Sequence, residues 1–184
     1  MQNAKPAIML FIVALASGLL LGSVNAFTLP AAEIQAQIAL DNSLNEIIYP
    51  EIAEFQELPV PRDTGVSSVY RAMKNGEVIA YVILSSSGGY GGVVEVLTGI
   101  DANGNIIKIK IGPHSETPGL GAEASKEVFT NQYMGKSDTL TVVKQSPGAN
   151  DIQAITSATI TSNAVTNAVN NALDYYKNNL EGSR

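Results

Sequence analysis

A segment rich in hydroxyl groups lies close to the C-terminus and has the residue types needed for phosphate chemistry. Five of the eight residues from Ile155 to Ser162 are serine or threonine. Apolar residues then recur every three or four positions as far as Tyr176, which predicts an amphipathic helix. Thr161 or Ser162 is expected to cap this helix, since a short hydroxyl accepts from free N–H groups of the first turn. A helix N-terminus favours phosphate, but by spacing alone an ordinary cap after an extended segment is the commoner explanation.

A glycine-rich loop, Gly88 to Gly92, is a second candidate for ligand contact. Its four glycines let the backbone approach a flat ligand closely, and Tyr90 at its centre could stack on that ligand. A flexible hairpin connection has the same composition. The loop by itself therefore favours neither explanation.

The segment from His114 to Gly121 is the third candidate. It contains the sequence Thr-Pro-Gly, which favours a tight turn because proline fixes φ and glycine supplies a positive φ. The N–H groups of Gly119, Leu120 and Gly121 could face the polar atoms of a ring ligand. Leu120 offers an apolar contact, and Glu116 could anchor the loop or hold a polar group of the ligand. His114 is expected to have a structural role.

Together the three segments resemble the covalent FMN-binding domain family. Thr156–Ser162 is similar to that family's Ser/Thr-Gly-Ala-Thr-x-Thr signature. The Gly-Tyr-Gly-Gly and His-x-Glu-Thr-Pro-Gly-Leu-Gly motifs occur in the family's order, and three ordered motifs are far more specific than one. The strongest resemblance is to the G subunits of Rnf-type ion-translocating ferredoxin:NAD oxidoreductases, with the C subunits of sodium-pumping NADH:quinone oxidoreductases as the sister family. It covers about Ala31 to Tyr176.

The resemblance implies roles for individual residues. In this family FMN is joined through its phosphate to a threonine hydroxyl, and Thr159 occupies the matching position. The sequence departs from the family pattern at Ser157, where glycine is common, and at Gln153, where aspartate is frequent. Further cofactor contacts are expected from the other motif residues: Ser157, Ala158, Thr161, Ser162, Glu116, Thr117, Gly119, Leu120, Gly121, Tyr90 and Gly91.

Composition limits the other classes of function. The 184 residues are 45% hydrophobic and 15% charged, which is enough apolar content for one packed domain. The net charge is −6 and no basic stripe is present, so nucleic acid is disfavoured as a partner. The absence of cysteine excludes disulfides and thiolate catalysis, and a single histidine excludes a multi-histidine metal site.

The N-terminal segment predicts a membrane anchor. Residues Pro6 to Val24 are uncharged and almost wholly apolar, and as a helix they approach the roughly 30 Å hydrocarbon thickness of a bilayer. Lys5 precedes them, which places the N-terminus in the cytoplasm and the main domain on the extracytoplasmic side. A cleaved signal peptide is the competing interpretation, because Val24-Asn25-Ala26 resembles a cleavage site. We expect an uncleaved anchor at residues 1–27 and one domain at residues 28–184.

The remaining pattern predicts an α+β fold, with an N-terminal transmembrane helix followed by one FMN-binding domain. Helices are expected at Ala31–Ile48 and Ala122–Thr130. Asn75-Gly76 and the Asp101–Asn105 turn each join two apolar segments, which predicts two hairpins. At least four strands are therefore expected in a largely antiparallel sheet packed by helices. A further short strand is expected at Thr139–Val143.

The function that this resemblance implies is electron transfer within a membrane-bound complex. The chain would carry covalent FMN, would have no catalytic residues of its own and would not be a complete enzyme by itself. Its partners would be the other subunits of the complex and, during maturation, a flavin transferase. The alternatives are the equivalent subunit of a Na+-translocating NADH:quinone oxidoreductase, a stand-alone membrane-anchored flavoprotein reductase, and a non-redox binding module.

Overall fold

The computed structural model describes residues 4–61 and 64–182. The sequence also predicts a loop from Pro59 to Ser68 and a frayed polar tail from Asn178 to Arg184. Two residues of that loop, the last two residues of the tail and the polar residues before position 4 lie outside this description. The chain divides into two compact units, Met1–Asn42 and Ser43–Arg184. No observation tests the predicted boundary after residue 27, which stays a prediction.

Helix α1 runs without interruption from Ala4 to Ile48. Its portion Ala4–Asn25 is long and apolar enough to cross a membrane, by a test of length and composition that signal sequences also pass. The prediction that a separate helix begins at Ala31 is therefore wrong, because residue 31 lies within α1. Pro30 removes one N–H donor but is compatible with helical φ, and the Thr28 hydroxyl donates to the Val24 carbonyl at 3.0 Å in the preceding turn.

The last turn of α1 is part of the second unit. Leu44, Ile47 and Ile48 are buried there. Ile47 lies against Gly99, where an added Cβ would be 2.2 Å from the Ile47 Cγ2 atom. Glu46 forms ion pairs with Lys108 at 2.9 Å and Lys110 at 2.5 Å, and these lysines lower the pKa of its carboxyl. These contacts fix the end of α1 to the sheet.

The central layer is a five-stranded antiparallel sheet in which every strand pairs with the next one along the chain. The predicted hairpin turns at Asn75-Gly76 and Asp101–Asn105 are confirmed. Asn75 and Gly76 both have positive φ, as a two-residue hairpin loop requires. The strand at the edge of the sheet, Glu54–Leu58, was not predicted, because this segment contains only two apolar residues. The strands are β1 (Glu54–Leu58), β2 (Val66–Lys74), β3 (Glu77–Gly88), β4 (Val93–Asp101) and β5 (Ile106–Ile111).

The segment after β5 differs from the single helix expected at Ala122–Thr130. A 3₁₀ turn at Gly121–Ser125 is followed by the one-turn helix α2 (Glu127–Thr130) and a second 3₁₀ turn. Lys126 has an extended backbone, with ψ at 146°, and it separates the first 3₁₀ turn from α2. A continuous helix cannot form through this residue. Two short strands follow, β6 (Thr141–Val143) and β7 (Asp151–Gln153), and they pair in parallel.

Helix α3, Thr159–Tyr175, covers one face of the sheet. Ala168 lets it approach closely, and the Ser85 hydroxyl of β3 donates to the Ala168 carbonyl at 2.7 Å. The chain continues as a π-helical turn to Leu180, which is buried, so the tail expected to fray from Asn178 is ordered as far as that residue. Packing of this helix on the sheet holds the residues at its N-terminus in place.

Candidate functional site

A tight turn delivers the chain to the start of α3. The Ala158 N–H donates to the Ile155 carbonyl at 3.0 Å, and Ser157 lies at the third position of the turn with φ of 62°. A positive φ at this position is typical of a type II turn, which favours glycine there. This geometry suits the glycine that the family signature has at the position of Ser157.

Helix α3 begins at Thr159, and its N-cap residue is Ala158. The predicted caps Thr161 and Ser162 are therefore wrong, because both residues lie inside the helix. Among the residues that the structure describes, no side chain caps this N-terminus, and the first helical bond runs from the Ser162 N–H to the Ala158 carbonyl at 3.0 Å. Alanine cannot accept a hydrogen bond through its side chain, so the N–H groups of residues 159–161 have no partner within the helix. An anion would satisfy them.

Ser162 has a different role from the one predicted. It is fully buried, its hydroxyl donates to the Ala158 carbonyl at 3.0 Å, and it accepts from the Ile155 N–H at 3.0 Å. Both bonds join the first turn of α3 to the tight turn before it. Ser162 therefore sets the position of Thr159, and it does not line the cavity described below.

Glu116 connects the three predicted segments. Its carboxylate is buried, with 6% of the residue exposed. One oxygen accepts from the Thr161 hydroxyl at 2.5 Å, and the other accepts from the Gly91 N–H at 2.8 Å. The Glu116 N–H donates to His114 Nδ1 at 3.3 Å, while His114 Nε2 lies 3.0 Å from the Ser125 hydroxyl. The carboxylate thus joins α3 to both glycine-containing loops.

Gly91 and Gly121 are among the glycines that this close packing requires. A Cβ atom on Gly91 would lie 2.1 Å from the Ser115 carbonyl oxygen. One on Gly121 would lie 2.5 Å from Glu116 Oε2 and 2.6 Å from Thr161 Oγ1. Any larger residue would separate the segments.

A cavity of about 520 Å³ lies where the three segments meet. Tyr90, Leu120 and Ile160 form an exposed apolar rim around it. Sequence reasoning missed Ile160, because nothing distinguishes it from any other exposed residue of a helical first turn. Among the described residues, no group of three or more His, Cys, Asp or Glu side chains is placed to hold a metal. The lining residues are Tyr90, Glu116, Thr117, Leu120, Gly121, Ser157, Ala158, Thr159, Ile160 and Thr161.

Three predicted contact residues do not line this cavity. Gly91 donates its N–H to Glu116, which does line the cavity. Ser162 is buried behind the turn. Gly119 lines a neighbouring groove together with Gln153. The Gln153 N–H donates to the Gln132 side chain at 2.7 Å, so its backbone is fixed while its side chain remains exposed.

Comparisons with known proteins agree with this geometry. The family of FMN-binding domains matches residues 89–174, which include all three segments apart from Gly88. The chain is 39% identical over 159 residues to the G subunit of the proton-translocating ferredoxin:NAD(+) oxidoreductase complex of Clostridium ljungdahlii, covering 86% of this chain and 83% of the relative. It is 36% identical to the G subunit of the Na(+)-translocating ferredoxin:NAD(+) oxidoreductase complex of Acetobacterium woodii, covering 95% and 91%.

The fold is also found in a solved structure. The C subunit of the Na(+)-translocating NADH-quinone reductase from Parabacteroides distasonis superposes with a TM-score of 0.51 at 30% identity, covering 60% of each chain. This likeness supports the sister relationship that the motifs indicate. The chain therefore belongs to the family of G subunits of Rnf-type ion-translocating ferredoxin:NAD(+) oxidoreductase complexes, and residues 89–174 form its FMN-binding domain.

Proposed function

We propose that this chain is an electron-carrying subunit of a membrane-bound ion-translocating ferredoxin:NAD(+) oxidoreductase complex, with FMN attached through its phosphate to Thr159. One observation carries this proposal. Thr159 is the first residue of α3, it lines the cavity, and it lies beside N–H groups that no described side chain caps. A hydroxyl in this position presents an attached phosphate to the donors that lack a partner.

The residues present fit FMN. The cavity volume of about 520 Å³ lies within the range of small-molecule sites. Its apolar rim of Tyr90, Leu120 and Ile160 suits a planar ring, and the turn before α3 suits a phosphate. When bound, FMN supplies reversible electron transfer. The residues of this chain position it and shield one side of it from water.

Attachment requires a second protein. A threonine hydroxyl is a poor nucleophile without an activating base, and the neighbours of Thr159 in the turn are serine, alanine and isoleucine. Glu116 is occupied by Thr161 and Gly91. We therefore infer a separate flavin transferase that uses FAD. In that reaction Thr159 Oγ1 would bond to the phosphorus of the FMN half, the bond from that phosphorus to AMP would break, and the hydroxyl proton would pass to a base of the transferase.

The helix Ala4–Asn25 anchors the chain in the membrane, and Lys5 before it favours a cytoplasmic N-terminus. The flavin domain then lies on the extracytoplasmic side, where a covalent bond prevents loss of the cofactor. The flavin held there would exchange electrons with neighbouring subunits of the complex. The exposed rim residues leave one side of the cavity open to such partners.

The equivalent subunit of a sodium-pumping NADH:quinone oxidoreductase is the second candidate. The observation in its favour is the likeness to the C subunit from Parabacteroides distasonis, although the identity is lower and the coverage smaller than for the G subunits. Purification of the tagged chain from its host membrane, followed by identification of the co-purified subunits, separates the two candidates. A chain that purifies alone would be a stand-alone flavoprotein.

The attachment site is tested by producing the full chain with a flavin transferase and measuring intact mass and in-gel flavin fluorescence. Thr159→Val should abolish the added FMN mass and the fluorescence. Thr139→Val is the matched control, because Thr139 is an exposed threonine that lines none of the cavities around Thr159. Covalent flavin on the Thr159→Val chain would refute the assignment.

A further inference from the structure

Lys144 follows strand β6 directly and lies beside the turn that precedes Thr159. The Ala154 N–H donates to the Val143 carbonyl at 2.8 Å, which extends the pairing of β6 and β7 by one step. This bond holds the chain around Lys144 against the start of the turn. Fifteen residues of sequence separate Lys144 from Thr159, but the parallel pair brings them to one place.

A second cavity, of about 300 Å³, lies on this side of the turn. Ser157 and Thr159 line both this cavity and the larger one. Thr159 therefore lies between the two cavities. The smaller one is lined by Lys144, Ala154, Ile155, Thr156, Ser157 and Thr159.

The charges of the two cavities differ. Glu116 is the charged residue that lines the larger cavity, and a phosphate there would face a buried carboxylate. Lys144 is the charged residue that lines the smaller one. Like charges repel across a short distance, so the phosphate is favoured on the Lys144 side.

Lys144 also differs from the other described basic side chains of the second unit, because it makes no ion pair or hydrogen bond with a described residue. Lys74, Lys108, Lys110, Lys126 and Lys177 each pair with a carboxylate. Lys136 donates to the Ala149 carbonyl and Arg71 to the Gln56 side chain. An ammonium group without a partner beside a hydroxyl that would receive a phosphate is available to bind that phosphate.

We propose that Lys144 binds the phosphate of the FMN carried by Thr159, so that the phosphate lies in the smaller cavity while the flavin ring lies in the larger one. This inference rests on the proposed attachment at Thr159. Lys144 supplies the positive charge, and the N–H groups at the start of α3 supply the hydrogen bonds.

The test uses the full chain in detergent, produced with a flavin transferase, in wild-type, Lys144→Gln, Lys144→Arg and Lys126→Gln forms. Lys126→Gln is the matched control, since it removes the same charge from an exposed lysine that lies outside both cavities. Intact mass follows the rate of FMN incorporation, and 31P NMR reports the environment of the attached phosphate. Circular dichroism establishes that each variant is folded.

We expect Lys144→Gln to slow incorporation roughly three- to tenfold and to shift the 31P resonance, because a charge-assisted contact at an exposed site has about that effect. Lys144→Arg should restore the rate, and Lys126→Gln should resemble the wild type. The inference is overturned if Lys144→Gln matches Lys126→Gln in both measurements, or if the glutamine and arginine variants fail equally. A wild-type chain that never acquires FMN would instead refute the proposed function itself.

Discussion

Glu116 Oε2 accepts a hydrogen bond from the Thr161 hydroxyl at 2.5 Å, although 45 residues of sequence separate them. Both residues are buried, and the other oxygen of Glu116 holds the Gly91 N–H. This pair positions the first turn of α3 relative to the two loops that enclose the cavity. Thr159, two residues before Thr161, faces that cavity as a result.

Replacement of Glu116 by alanine should destabilise the domain by about 1–3 kcal/mol, because it leaves the buried Thr161 hydroxyl and the Gly91 N–H without their partner. Denaturant unfolding of the full chain in detergent measures this loss. Glu123→Ala is the control, since it removes an exposed ion pair with Lys126 and should change the free energy of unfolding by less than about 1 kcal/mol. Equal losses in the two variants would contradict a special role for Glu116.

Gly91→Ala should destabilise the chain by about 1–3 kcal/mol and reduce FMN incorporation. The new Cβ would meet the Ser115 carbonyl oxygen at 2.1 Å and separate the two loops. Gly88→Ala is a matched control in the same loop, where an added Cβ meets no atom within 4 Å. Thermal unfolding and intact mass measure both effects. If the two alanine variants behave alike, the close approach of these loops does not matter for the site.

Ser157→Gly should raise the free energy of unfolding by up to about 1 kcal/mol, because glycine adopts the positive φ of this turn without strain. Ser157→Val should lower it by about 1–2 kcal/mol, since a β-branched residue resists this conformation. Ser157→Ala separates the effect of the hydroxyl from that of the backbone. Denaturant unfolding of the three variants gives the order Gly, Ala, Val, and any other order would argue against φ as the cause.

The folded state should lose stability at alkaline pH through Tyr133. Burial raises the pKa of this tyrosine well above its usual range, and its hydroxyl lies 2.8 Å from Thr166 Oγ1. The unfolded chain loses this proton near pH 10, whereas the folded chain retains it. The contribution of Tyr133 to the free energy of unfolding is therefore fully present below about pH 10 and is lost as the pH rises further.

Tyr133→Phe should flatten this alkaline decline and cost about 1 kcal/mol at neutral pH through loss of the bond to Thr166. Tyr49→Phe is the control, because Tyr49 is exposed. Denaturant unfolding at pH 8 and pH 11 compares the variants. If the loss of stability at alkaline pH is the same in Tyr133→Phe, other titratable groups cause it.

The sequence alone was sufficient wherever the signal is local. Asn75-Gly76 predicts a hairpin because its two residues tolerate positive φ, and Pro6–Val24 predicts an apolar helix from composition. The motif around Thr159 was also recognisable, since its residue types are contiguous. These features depend on neighbours within a few positions, which a linear pattern records.

The tertiary structure decided where these segments meet and where α3 begins. A hydroxyl-rich pattern predicts Thr161 or Ser162 as the cap. In the structure the Thr161 hydroxyl donates to Glu116, and the Ser162 hydroxyl accepts from the Ile155 N–H of the preceding turn. The helix begins at Thr159, and no side chain among the described residues caps its N-terminus. Residues distant in the sequence compete for the same hydroxyl groups, and only packing of the sheet, the loops and α3 determines which contact forms.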